Sequence, residues 1–204
     1  MADRTYVPAA GHDWLLFTYD PLSRLTGAEA AHRQLVEQAD IESHHRVLDI
    51  GCGTGNLTLL VKRRHPQADV FGLDPDARAL ARARRKAERE GLALELHEGF
   101  SDALPFSDGS FDRVVSAFML HHLAADEKAK TLREARRVLR DGGRLHVMDF
   151  AASGHGLLAH LFHHHLQDQE QIPGLLREAG FSESREVTER RTLLGRVAYH
   201  RAVR

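Results

Sequence analysis

With 204 residues, 42% of them hydrophobic and 28% charged, the chain has the make-up of one globular domain long enough to bury a full core. Its net charge of −1 argues against a dedicated nucleic-acid surface, which would be strongly basic. No apolar run approaches the ~18–20 residues of a membrane span. The start of the chain lacks the pattern of a secretory leader, and Cys52 as the only cysteine rules out an intrachain disulfide, so a cytoplasmic protein is predicted.

Residues 1–45 precede the first predicted strand and are expected to form a helical extension that covers a pocket. Trp14, Leu15, Leu16, Phe17 and Tyr19 form an apolar and aromatic cluster, punctuated by Pro21 and Gly27. Residues 28–38 then read as a helix with Ala31, Leu35 and Ala39 on one face. Val47, Leu48 and Ile50 make a short run suited to a buried strand; Gly51, Gly53 and Gly55 follow at every second position, and Leu57, Leu60 and Val61 shift to helical spacing. A strand, a glycine hinge and a helix in that order build a nucleotide-cofactor pocket at the carboxyl edge of a parallel sheet. Glycine permits a positive φ there and lets a ligand approach the main chain.

Pro66 closes that helix, and the run 68–74 predicts a second strand ending in Asp74. Asp74 stands roughly 20 residues after Gly55, the offset at which an acid at the next strand end meets ribose hydroxyls. Asp76 is placed to cap a helix running to Glu90 and ending at Gly91. The basic residues of that helix (Arg82, Arg84, Arg85, Lys86 and Arg89) alternate with glutamates and read as a solvated face. Further along come a strand at 92–97, a loop at 104–110, a buried strand at 111–119, a helix at 126–140 stopped by Gly142 and Gly143, and a strand at 144–150. A loop-rich insert at 151–171, a helix at 173–179 ended by Gly180, and two runs at 183–191 and 193–203 complete the chain. The last two runs are too closely joined for a parallel crossover and predict an antiparallel hairpin. The expected architecture is α/β: a doubly wound, mostly parallel seven-stranded sheet with an antiparallel C-terminal hairpin, helices on both faces, and one domain over 46–204 carrying the insert.

The glycine spacing separates two cofactor classes. A dinucleotide fingerprint is G-x-G-x-x-G. Here the third glycine comes one residue early, at Gly55, with Asn56 in the fingerprint's place. Cys52, between two loop glycines, suits a small buried filler better than a catalytic thiol. His121 and His122 directly follow the fourth strand, at the edge where ligands lie. Either one hydrogen-bonds the loop while the other is solvated, or one lines the acceptor pocket as a base. His155, His160, His163, His164 and His165 cluster in the insert; with Asp168 or Glu170 they would make a metal site, but a lid helix is the favoured reading and no metal is assigned.

Asp49 followed by G-x-G-x-G resembles motif I of the S-adenosylmethionine-dependent methyltransferases with a Rossmann-like fold. Leu104-Pro105-Phe106, the stretch from Ser110 to Asp112, Leu120-His121-His122, the stretch from Arg137 to Leu145 and the stretch from Gly174 to Phe181 are similar to the small-molecule branch that includes the ubiquinone/menaquinone-biosynthesis C-methyltransferases. The likeness runs from about residue 47 to the C-terminus. It implies that Asp49, Gly51, Cys52, Gly53 and Thr54 surround the methionine part of the cofactor, that Asp74 takes the ribose, that Pro75 lies against the adenine, and that Ala117 faces the cofactor through its backbone. The Tyr19-Asp20-Pro21-Leu22 stretch also resembles the family and brings Tyr19 to the cofactor. Where the family usually carries Asp-Ala or Asn-Ala, with a side chain reaching the adenine amino group, this chain has Phe100-Ser101 and then Asp102. Phe100 has no acceptor, which leaves main chain at Ser101 or a shifted Asp102.

The implied activity is transfer of a methyl group from S-adenosylmethionine to a small-molecule acceptor by in-line displacement, with His121, His122 and Tyr19 as candidates to remove a proton. Trp14, Phe17 and Tyr19 either fold over the sulfonium or form plain core. Two alternatives stand beside it: a non-catalytic S-adenosylmethionine-binding module, and an NAD(P)-dependent oxidoreductase, against which the early third glycine weighs. The signature of nucleic-acid amino-methyltransferases after the fourth strand is absent, because Ala117-Phe118-Met119-Leu120 stands there. No nucleic-acid partner is expected, and oligomeric state is left open.

Overall fold

The apolar run at the start of the glycine motif is covered on both sides. Val47 and Leu48 are fully buried, as a strand enclosed between two helical layers requires. A computed structural model of the chain describes residues 27–151, 172–192 and 195–204. The cluster at 14–19, Tyr19 within it, and the histidines of 155–165 lie outside the described residues.

In chain order the elements are α1 (Ala28–Gln38), β1 (Arg46–Ile50), α2 (Asn56–Arg64), β2 (Asp69–Asp74), α3 (Ala77–Glu90), β3 (Glu95–Glu98), β4 (Phe111–Ala117), a 3-10 turn (Leu120–His122), α4 (Ala125–Val138), β5 (Leu139–Phe150), α5 (Ile172–Glu178), β6 (Ser182–Thr192) and β7 (Gly195–Val203). The seven strands form one sheet in the order β3-β2-β1-β4-β5-β7-β6. From β3 to β5 all neighbours are parallel, and β7 joins β5 and β6 antiparallel. The doubly wound sheet with a C-terminal hairpin is thus as expected, with the hairpin's second strand on the inside.

Alternate residues of the strands feed two cores. Val47, Val70 and Val115 face Leu35 and Val36 of α1 and Leu57 and Val61 of α2. Leu48, Ile50 and Leu73 face Leu132 and Ala135 of α4 and Leu176 of α5. Each fully buried aliphatic side chain contributes about 1.5–3 kcal/mol. The order in which strands are added switches sides between β1 and β4, which remain parallel, and this switch point opens a crevice at the carboxyl ends of those strands.

Four sequence expectations shift, one of them being the strand expected at 111–119, which ends at Ala117 because Phe118 turns into the left-handed region at φ of 54°. The strand expected at 92–97 forms at Glu95–Glu98, because Leu92 is used to close α3: its N–H donates to Ala87 O at 2.9 Å, beside Gly91 in the left-handed region. The helix expected to reach residue 140 ends at Val138. Leu139 is already extended, fully buried and paired with Phe111, so β5 begins before the two glycines. Lys86 is not simply solvated: it turns back onto the glycine loop, as described below.

Candidate functional site

β1 delivers Asp49 and the glycine loop to the crevice, and β2 delivers Asp74 beside them. Gly51 and Cys52 both donate their N–H to Leu73 O, at 2.8 and 3.1 Å, which ties the loop to the end of β2. Gly53 N–H donates to Asp74 Oδ2 at 2.8 Å, and Asp76 N–H to Asp74 Oδ1 at 2.9 Å. The two sequence landmarks are therefore in direct contact. The loop is also held from behind: Lys86 Nζ donates to Thr54 O at 3.0 Å and to Asn56 Oδ1 at 2.9 Å.

A cavity of about 210 Å³ opens above this contact. Its floor is Asp49, Gly51, Cys52, Gly53 and Thr54; Asp74, Pro75 and Asp76 form one wall, Phe100 and Ser101 another, and Ala117, Phe118 and Met119 a third. His32, His122, Leu123 and Glu127 also border it. Every expected cofactor residue within the described chain borders this cavity, whereas Asp102 does not.

The electrostatics follow from burial. Burial lifts the Asp49 carboxyl to about 7, with Asp74 adding to it against a 2.6 Å hydrogen bond from Thr58 Oγ1. Burial also raises Asp74, against the two main-chain donors it accepts from. The Cys52 thiol is pushed well up by the same cause and packs against Gly72, where an added Cβ would lie 2.9 Å from its Sγ. That is a filler's environment and not a nucleophile's.

The two histidines after β4 divide their roles. His121 is buried, with Nδ1 2.7 Å from Asp149 Oδ1 and its own N–H donating to Asp149 Oδ2 at 3.0 Å. It does not border the cavity. His122 does, and its ring lies 3.9 Å from that of His121. Among the lining residues that sequence reasoning missed, two stand out. His32 projects from α1 and meets the Phe118 ring edge-on at 5.9 Å; burial lowers its pKa to about 4, so it is neutral. Phe118 has φ of 54°, a conformation that costs a non-glycine residue about 1 kcal/mol or more and recurs at functional sites. Its ring packs at 4.9 Å on Phe150. His32 was legible in principle, since it shares the buried stripe of Ala28 and Val36; nothing local marks Phe118.

One observation tests whether the residues fit an adenosyl cofactor. Gly53 has φ of 53°, and a Cβ added there would meet no atom within 4 Å, so the missing side chain leaves open space on the cavity floor. Bare main chain and paired acids suit a ligand rich in donors that carries a positive charge. The residues fit.

Residues 47–143 match the family profile described as "Methyltransferase domain". The demethylmenaquinone methyltransferase of Thermus thermophilus is 46% identical over 135 residues, covering 65% of this chain and 60% of the relative. That of Deinococcus radiodurans is 35% identical over 152 residues, covering 73% and 62%. The chain thus spans about three-fifths of the length of these curated relatives. Among solved structures, a SAM-dependent methyltransferase from Aquifex aeolicus superposes with a TM-score of 0.74 at 19% identity, covering 93% of this chain and 97% of that one. At that identity the likeness is one of fold.

Proposed function

We propose that the chain is a Rossmann-like, S-adenosylmethionine-dependent methyltransferase, a reading supported by the family profile over 47–143 and by the demethylmenaquinone methyltransferase relatives, and that it transfers a methyl group from S-adenosylmethionine to a small-molecule acceptor. One observation carries the reading: the glycine-rich loop at 51–55 and the Asp74 carboxylate meet directly and border one cavity. When bound, S-adenosylmethionine supplies an electrophilic methyl group on a sulfonium.

The chain's own residues hold and orient. Asp49 and the main chain of 51–54 take the amino-acid end, and Asp74 accepts from the ribose hydroxyls while keeping its two main-chain donors. Pro75 covers the base. Phe118, Met119 and Leu123 exclude water on the acceptor side, which favours a step in which charge is dispersed. We assign His122 as the base that takes a proton from the acceptor. His121, fixed by Asp149, acts as a positioning residue through its ring, which lies tilted against that of His122. Tyr19 remains a candidate for contact with cofactor or acceptor. The region 1–45 and the insert 151–171 are assigned as the pocket cover, with support from α1, which already places His32 in the lining.

The acceptor assigned is a flat, largely apolar ring bearing a hydroxyl. The named substrate of the two relatives and the aromatic pair of His32 and Phe118 in the cavity lining support it. No helix among the described residues is long and apolar enough to cross a membrane. The test is incubation of the purified chain with methyl-labelled S-adenosylmethionine and a demethylated naphthoquinol. Label should appear in the quinol, and His122→Ala should lower kcat by about 10²–10⁴-fold, the range of general-base catalysis, with little change in cofactor affinity. No label in this acceptor or in a panel of hydroxylated aromatics would leave the binding-module alternative in its place.

A further inference from the structure

The cavity lining is acidic. Asp49, Asp74, Asp76 and Glu127 border it, and among the described residues of that lining there is no lysine or arginine. Such a lining suits the sulfonium and the amino group of S-adenosylmethionine and opposes the carboxylate at the same end of the molecule. A cation behind the lining offsets this. Lys86 on α3 is half-buried, and its Nζ donates to Thr54 O at 3.0 Å, to Thr54 Oγ1 at 3.2 Å and to Asn56 Oδ1 at 2.9 Å. An ammonium has three protons, one for each of these acceptors, so the charge is fixed in place. Thr54 and Asn56 themselves border the cavity.

Packing sets the reach of that side chain. One turn before Lys86, Ala83 is fully buried, and a Cβ added at Gly55 would lie 2.8 Å from the Ala83 Cβ. The bare backbone at Gly55 thus lets α3 press close enough for Lys86 to meet the loop. Gly55 also starts α2 with φ of 79°, no side chain caps that helix, and Asn56 and Leu57 of its first turn border the cavity. The positive end of α2 and the Lys86 charge therefore act on the same stretch of lining. Resting on the adenosyl reading above, we propose that Lys86 is a positioning residue for the cofactor: its ammonium, acting through Thr54 and Asn56, supplies the positive potential that holds the carboxylate of the methionine end beside residues 54–57. Asp49 takes the amino group of the same zwitterion, so opposite charges on the two sides set which way round that end lies.

Binding calorimetry of the full chain with S-adenosylhomocysteine and its decarboxylated analogue, S-adenosyl-3-thiopropylamine, tests this, with thermal melts to confirm that each variant folds. The wild-type chain should bind the carboxylate-bearing ligand at least about tenfold more tightly, the scale of one fixed charge at partly screened distance. Lys86→Met keeps the length and apolar stem of the side chain and removes its charge. It should weaken S-adenosylhomocysteine about tenfold, leave the decarboxylated ligand within about twofold and erase the preference. Lys86→Gln keeps a donor for the loop without the charge and should behave alike, which separates potential from loop tethering. Equal weakening of both ligands would reduce Lys86 to a structural tether and overturn the proposal alone, as would a wild-type chain indifferent to the carboxylate or a preference retained in either folded variant. A wild-type chain that binds neither ligand would overturn the adenosyl reading together with it.

Discussion

Asp49 is the residue whose chemistry is most altered by its place. It is 1% exposed, and burial holds its proton to about pH 7. A cationic amino group brought beside it would favour the ionised form and lower that pKa. Binding should therefore release a proton below about pH 7. Affinity for S-adenosylhomocysteine should rise up to about tenfold per pH unit between pH 5 and 7 and level off above. Calorimetry at pH 6 in buffers of different ionisation enthalpy counts that proton; flat affinity from pH 5 to 8 with no release would place the amino group elsewhere. Asp49 and Asp74 were legible because strand ends at a switch point impose local rules on charge and backbone. His32 could be read only as a residue of the inner face of α1, and Phe118 reaches the cavity through a left-handed φ after β4, which no short window of sequence displays.

At the scale of elements, α1 is joined to the sheet by one buried cation. Arg113 on β4 is 4% exposed and donates to Ala39 O at 2.7 Å and Asp40 O at 2.9 Å, satisfying carbonyls at the C-terminus of α1 where a positive charge is favoured. Arg113→Leu should lower stability by about 2–3 kcal/mol in urea unfolding. A change within ~0.5 kcal/mol would mean that water serves those carbonyls equally well. The α1 boundaries were readable from apolar spacing, and the Asp76 cap from its side chain. The start of β5 was not, because Leu139 becomes a strand residue by pairing with Phe111 across the sheet, while the adjacent Gly142 and Gly143 look like the helix stop. Arg137 shows the same limit. It donates to Phe106 O at 2.8 Å and Leu104 O at 3.0 Å and holds the Leu-Pro-Phe loop beside Ser101, a role visible only once α4 is docked.

For the molecule as a whole, the histidines decide the response to acid. Burial first, and nearby arginines second, lower His146 to about 3; burial lowers His32 and His200 to about 4. Below pH 6.5 the unfolded chain binds protons at these sites and the folded chain does not, so stability falls as pH drops toward 4. Asp49 and Asp74 act in the opposite sense, since a carboxyl raised by burial lets the folded state gain a proton as pH falls. His45 and His65, also lowered by burial, add to the three buried rings, and the histidines outweigh the two carboxyls. Tm should fall from pH 7 to 4.5, and His200→Gln should flatten the slope; a Tm that stays level or rises would contradict the burial of these rings. The order of the sheet follows from the same large-scale logic. The short connection between the runs 183–191 and 193–203 announced a hairpin, but nothing local revealed that β7 would lie between β5 and β6. The central claim is that the loop at 51–55 and Asp74 enclose an adenosyl group and not a pyrophosphate. Titration of the folded chain with S-adenosylhomocysteine and NADH, repeated for Asp74→Ala, tests it most directly. The expected result is binding of the first ligand alone, weakened by about 1.5–3 kcal/mol in the variant; binding of NADH with silence toward S-adenosylhomocysteine, or unchanged affinity in folded Asp74→Ala, would contradict it.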